Sequence, residues 1–330
     1  METPHSKALP FSTRVLQTTG VTKTDDDLLP ASYRGKAGDG PIRLYIPSGR
    51  DSVFLKQELD VQRLRSVFHW LWIAGRPMPP RPLHYQLMLG RDIVITEDMN
   101  MHLVWTAGRI FLKPVPRYLL EPAFWGECLS CPRDYPCLDD RDCRQGLRRL
   151  ALGFLSSYVA MISYESDFMI AQERHLLPEE VKWRHWRSLA SEILSIEDID
   201  RQVDARFLYG ELRLGRLNKI YILSGRSVFR GYMPNWQQYG AYFQDNLAWL
   251  ATATIYIAVV LTAMQVGLAT SLGENAVFQL VSLGFTVFSI LAPPVAAVII
   301  LLVFILLFID NWVEAVSFKK RRFEGLHAWI

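Results

Sequence analysis

Four cysteines fall within sixteen residues, Cys128, Cys131, Cys137 and Cys143, spaced C-x2-C-x5-C-x5-C. Four thiolates at short separation match the ligand set of a tetrahedral structural zinc, and the segment PRDYPCLDDRD between them is polar and proline-containing, as a metal-ordered loop would be. The spacing departs from that of zinc fingers, because no second C-x2-C hook follows the first. Metal-free thiols in a polar loop are therefore the leading reading, with zinc as the alternative, and no metal site is assigned. Disulfides are disfavoured if this part of the chain faces a reducing cytosol.

The seven histidines are scattered. His69, His84 and His102 converge only if the fold brings them together, and separate surface or core roles are the simpler expectation. Glu165 and Asp167 stand two residues apart on an expected helix, so they point in different directions and form no paired-carboxylate site. The chain has no H-E-x-x-H, no G-x-S-x-G, no P-loop and no G-x-G-x-x-G after a strand. No catalytic or cofactor-binding residue is assigned, and no cofactor is expected. An enzyme built on this chain would need a site assembled from dispersed groups, and Arg76, His84, Arg91 and Glu165 would be the first to test.

The elements that would carry these groups are legible in outline. Leu55, Leu59, Leu64, Val67, Phe68 and Leu71 recur at helical spacing and predict a helix over 53–74, ended by Gly75. Arg76-Pro77-Met78-Pro79-Pro80-Arg81-Pro82 must be extended, because each proline fixes its own φ and pushes the preceding residue out of the α region. The heptapeptide fits the Arg-x-x-Pro-x-x-Pro ligand pattern of SH3 domains. Its place between two apolar segments favours a rigid packed corner.

Residues 93–96, 102–105 and 109–112 predict short strands in a small sheet or meander. A long helix is expected over 142–175, with Leu147, Leu150, Phe154, Tyr158, Met161, Glu165 and Phe168 on one face. Its apolar centre, Leu150–Ile162, is too short to cross a bilayer. Further helices are expected from Pro178 to about Leu194, with acids in the first turn, and near 207–222.

Composition bounds the function. The chain has 330 residues and a formal net charge of +3, too small to argue for nucleic acid. Ten Trp and thirteen Tyr favour a packed body. The N-terminal stretch METPHSKALPFSTRVLQTTG lacks the apolar run of a secretory signal. A disordered polar tail is expected there, with a mitochondrial transit peptide as the alternative.

Leu247–Ile309 carries one charge, Glu274. Two apolar blocks, Leu247–Ala269 and Ala276–Ile309, flank the polar break Ser271-Leu272-Gly273-Glu274-Asn275. About 20 apolar residues suffice to cross a bilayer as a helix. A transmembrane helical hairpin follows. Basic residues lie before the first block (Arg201 to Arg230) and after the second (Lys319, Lys320, Arg321, Arg322), while the connecting loop has none, so both ends are expected on the cytosolic side. The second block is long for a bilayer, and Pro293-Pro294 predicts a kink in it. Ala258, Thr262, Ala263 and Gly267 could meet Gly284, Ser289, Ala292 and Ala296 in close helix packing. A Thr-lined pore in an oligomer is the weaker alternative.

The expected fold class is mainly α with a small β element: a cytosolic helical body followed by a two-helix transmembrane hairpin. The expected organisation is a disordered tail over 1–40 and a soluble body over 41–246. The hairpin then covers 247–309, with spans of about 247–269 and 279–309, and a basic cytosolic tail covers 310–330.

The runs FHWLWIAGRPMPPRPLHYQLMLGR (68–91), YESDFMIAQERHLLP (164–178), YGELRLGRLNKIY (209–221) and DNLAWLATATIYIAVVLTAMQVGL (245–268) resemble an uncharacterised family of fungal membrane proteins, a domain of unknown function. The resemblance covers most of residues 45–310. It implies a fungal source and a membrane topology, and it transfers no active-site residue. Protease-like names attached to some such proteins find no nucleophile motif here to support them.

The function expected is that of a non-enzymatic, membrane-anchored interaction or scaffold protein. The alternatives are a membrane-bound enzyme and a transporter- or channel-associated subunit. Expected partners are the lipid bilayer, an unidentified protein and a second copy through the transmembrane helices, with no nucleic acid. Endomembranes or the plasma membrane are the favoured location, mitochondria the runner-up.

Overall fold

A computed structural model describes residues 9–16, 28–36, 42–49, 51–130, 144–224, 232 and 239–327. The chain divides into two compact units, Met1–Tyr232 and Met233–Ile330. It is mainly α with small sheets.

In the first unit, β1 (Tyr33–Lys36) and β2 (Ile42–Tyr45) form an antiparallel pair. The helix expected over 53–74 is broken into α1 (Ser52–Glu58), α2 (Gln62–Arg65) and α3 (Leu71–Ala74). Asp51 caps α1 through the amide of Val53 at 2.9 Å, and Asp60 accepts from the amide of Gln62 at 2.8 Å. An aspartate that bonds the backbone locally competes with a continuing helix, and that is the physical reason for the break. Of the periodic residues, Leu55, Leu59, Leu64, Val67 and Leu71 are nevertheless buried, and Phe68 is partly buried. Hydrophobic periodicity thus located the buried face and not the helix ends.

After the proline corner come α4 (Leu83–Met88), β3 (Asp92–Ile95), β4 (Val104–Thr106) and β5 (Arg109–Leu112). The expected sheet is present, with order β3-β5-β4-β6, where β6 is Leu212–Arg213. It is no meander: β3 lies parallel to β5, with Ile93 opposite Ile110, while β4 and β5 form an antiparallel hairpin. Gly108, at φ +72°, turns that hairpin in the left-handed region that favours glycine. Leu212 pairs in parallel with Val104, so the region expected as a helix over 207–222 opens on the end of a short 3-10 turn (Ala205–Leu208), passes through a strand and becomes α-helical only in α10 (Leu214–Leu223).

Between them lie α5 (Pro122–Glu127), α6 (Arg144–Met161), α7 (Glu165–Glu173), α8 (Trp183–Leu194) and α9 (Ile199–Gln202). The helix expected over 142–175 is two helices. Tyr164 takes an extended backbone, and the Asp167 carboxylate receives its amide at 3.0 Å, which starts a new helix. Helix α8 starts at Trp183, later than Pro178, because Lys182 is extended.

Helix α6 is the centre of the core and buries Leu150, Phe154, Leu155 and Tyr158 among others. Each such side chain contributes about 1.5–3 kcal/mol of apolar transfer energy. Residues 9–16 depart from the disordered tail expected over 1–40. Phe11 and Val15 are buried, and the Phe11 ring meets Trp125 edge-on at 6.0 Å. Two buried apolar side chains supply the burial that a polar tail lacks.

The second unit is two helices, α11 (Tyr239–Leu268) and α12 (Ala276–His327), joined through a tight turn at Ser271–Glu274. Asn275 caps α12 by accepting from Val277 at 2.9 Å. Helix α12 runs without interruption through Pro293 and Pro294 and continues past the expected end of the span at 309. The segments Trp249–Leu268 and Ala276–Leu302 are long and apolar enough to cross a membrane. A Cβ on Gly267 would stand 2.7 Å from the Phe278 ring, so glycine there lets the two helices close, whereas Gly284 faces open space. Thr254, Thr262, Thr286 and Ser289 donate to the carbonyls four residues earlier, so their hydroxyls are satisfied within their own helices.

Candidate functional site

Among the described residues, four groups of polar side chains in the body bear on function. The first joins α4 to α7. Asp167 is fully buried, and its Oδ1 accepts both the backbone amide and Nδ1 of His84 at 2.8 Å. The His84 amide lies in the first turn of α4, where helical donors lack intrahelical partners. One carboxylate therefore caps two helices. It also fixes the His84 tautomer with the proton on Nδ1. The imidazole is 42% exposed and meets the Tyr164 ring edge-on at 5.6 Å.

The second place is built on Glu211, just before β6. Its carboxylate receives Arg81 Nε at 2.8 Å, Gln86 Nε2 at 2.7 Å and Arg91 Nη1 at 2.5 Å. Burial alone would raise the Glu211 pKa, but these donors together outweigh it and hold the pKa down at about 2. The Arg91 guanidinium also stacks 3.9 Å from the centre of the Trp105 ring. Every charge here has a partner, which marks a structural clamp between α4, β3 and β6.

The third place is His102, which is buried. Its Nδ1 accepts from the backbone amide of Lys113 at 3.2 Å, so the ring proton sits on Nε2 and points to Ser157 Oγ at 2.9 Å. Ser157 in turn donates to the carbonyl of Phe154 at 2.6 Å. A serine activated by histidine must give its proton to the imidazole. Here the polarity is reversed, and the pair is not a nucleophile and its base. Burial, then the nearby Arg206 and Lys113 charges, push the His102 pKa well down, so the ring stays neutral.

The fourth place is a cleft of about 1060 Å³. Lys113, fully buried, lies beneath it and holds Glu58 at 2.8 Å and Glu97 at 3.0 Å. Glu58, Glu97, Glu179 and Glu180 line the cleft against Arg34 and Arg117. Arg117 pairs with Glu180 at 2.5 Å. Tyr118 also borders it, and its hydroxyl is buried without a hydrogen-bond partner among the described residues. Burial, then Glu58 and Glu97, push the Tyr118 pKa well up, so the phenol stays protonated.

The sequence-nominated residues separate accordingly. His84 and Arg91 occupy neighbouring clusters on one helix and its exit, while Arg76 and Glu165 are exposed and join neither. His69 is exposed, His102 is in the core, and the three histidines do not form a set. Of the cysteines, Cys128 is buried, and Cys131, Cys137 and Cys143 lie outside the described residues. Asp167 and Glu211 were not nominated. The spacing Tyr164-x-x-Asp167 before an apolar run was the one available signal for Asp167, as a helix-start pattern. Nothing local marks Glu211.

No curated protein and no solved structure matches this chain. Residues 51–293 match a family profile that covers most of the body and reaches into the second apolar helix. The chain belongs to a family of unknown function (DUF6601).

Proposed function

We propose that this protein is a membrane-anchored, non-enzymatic interaction protein, its body held at a bilayer by α11 and α12. One observation carries the reading. Along both apolar helices large side chains stand open, among them Ile255, Val259, Leu280, Leu283 and Ile290, each more than half exposed. Two packed helices leave this much apolar surface only where lipid or another protein covers it. The polar clusters agree with a non-enzymatic body: Glu211 and Lys113 are consumed by internal pairing, and His102 faces a serine of the wrong polarity. The cleft at Tyr118 is the candidate recognition site. Its four carboxylates outnumber the three cations around them, Arg34, Arg117 and Lys113, by one, which suits a cationic group, and the buried Tyr118 hydroxyl at its edge has no hydrogen-bond partner among the described residues.

The test is co-purification from native membranes after crosslinking, with mass spectrometry of attached proteins and lipids. The reading expects carbonate-resistant protein and a reproducible partner that is lost on Glu97→Lys. A second reading, a membrane-bound enzyme, has one observation in its favour: the half-exposed His84 ring, held by a buried carboxylate. It requires that His84→Ala abolish function in a stable protein.

A further inference from the structure

We propose that the face of the body formed by α3 and α10 docks directly on an anionic lipid surface. Trp70 and Trp72 are 53% and 63% exposed on either side of the fully buried Leu71. Helix α3 packs on α10, where Arg216 donates to the Ile73 carbonyl at 3.0 Å. Helix α10 turns Leu217, Ile220 and Tyr221 inward and leaves Arg216, Lys219, Ile222 and Leu223 exposed, Leu223 at 86%. Two contacting segments thus present two tryptophans, two aliphatic side chains and two cations.

Three features select lipid over a protein partner. Indole rings combine an apolar body with a polar N–H, and they settle at the headgroup level of bilayers. Arg216 and Lys219, exposed on the helix against which α3 packs, complement anionic headgroups. Chain length supplies the third. Tyr232 is pinned beside α10: its amide donates to Asn218 Oδ1 at 2.8 Å, and its ring meets Tyr221 at 5.2 Å. Six residues, 233–238, separate it from α11. Fully extended they reach about 20 Å. A linker of that length limits how far Tyr232 can stray from the first residue of α11. The inference rests on the membrane-anchor reading above.

The experiment uses the full chain in nanodiscs of phosphatidylcholine and phosphatidylserine. The photo-crosslinker benzoylphenylalanine replaces, one at a time, Trp72, Leu223, Ser188 (an exposed residue of α8, outside the patch) and Val287 on α12. Lipid adducts are read by mass spectrometry. Docking predicts adducts at 72, 223 and 287 and none at 188, with those at 72 and 223 falling when phosphatidylserine is omitted or Lys219→Glu is added. Adducts at 287 alone would overturn the docking and leave the anchor standing. No adduct at 287 would overturn both. Adducts at 188 equal to those at 72 would show non-specific collision and also overturn the proposal.

Discussion

Asp167 Oδ1 accepts two hydrogen bonds from one residue, the backbone amide and the ring Nδ1 of His84, each at 2.8 Å. Its Oδ2 takes the amide of Tyr164 at 3.0 Å. The residues are 83 positions apart in sequence, and their contact pins α4 to α7 while capping both. Asp167→Ala leaves these donors without their partner and should destabilise the body by about 2–4 kcal/mol. His84→Ala keeps the Asp167 bond to the backbone and should cost about 1 kcal/mol or less, since the ring is partly solvated. Urea unfolding of the detergent-solubilised chain measures both, and equal effects would contradict the capping role.

Glu211 gives the fold an acid-sensitive clamp. Its folded pKa, about 2, lies below the ordinary carboxylate value of 4.5. A depressed acid stabilises fully above the unfolded value and loses that contribution as the pH falls through the folded one. The window is therefore pH 4.5 down to about 2, and the contribution is on the order of 3 kcal/mol. Glu211→Gln should flatten the fall in stability across that window and should lower stability at neutral pH. An acid limb as steep as in the unsubstituted protein would place the titrating group elsewhere.

The proline corner packs as expected for its inner half. Pro80 is buried while Arg76 to Pro79 are exposed. A Cβ on Gly210 would lie 2.6 Å from the Met78 carbonyl oxygen and 2.8 Å from Pro80 N. Backbone atoms cannot step aside, so Gly210→Ala should cost about 1–3 kcal/mol through overpacking. Pro79→Ala with Pro80→Ala should cost a similar amount, about 1–3 kcal/mol, through lost packing and a freer unfolded chain. An SH3 ligand would behave differently: the proline change would leave the melting point alone and would abolish one partner.

The cysteines are decided by metal analysis. The metal-free reading expects less than stoichiometric zinc in purified protein and an unchanged melting curve after chelation or Cys131→Ser. About one equivalent of zinc, with melting lowered by that substitution, would establish a structural site, because metal binding there is coupled to folding.

What the sequence made legible was whatever depends on composition and periodicity. The two apolar helices, the buried centre Leu150–Ile162 and the buried row Leu55, Leu59, Leu64, Val67 and Leu71 follow from where apolar residues stand. Element ends were less visible, since Asp60 and Tyr164–Asp167 break helices by bonding the backbone locally. The strand at Leu212–Arg213 was invisible, because two residues hold strand form only through pairing with Val104 and Trp105. The polar clusters were hidden for the same reason. His84–Asp167 and Arg91–Glu211 span 83 and 120 positions, and no local rule links such partners.

The central claim is that α11 and α12 cross a bilayer. The most direct measurement is labelling of Ser271→Cys by an impermeant maleimide in sealed, cytosol-side-out vesicles, read on the peptide that contains residue 271. The account predicts no label until detergent opens the vesicles, while a tag after Ile330 is digested by external protease in the same preparation. Full labelling of residue 271 in sealed vesicles would contradict it.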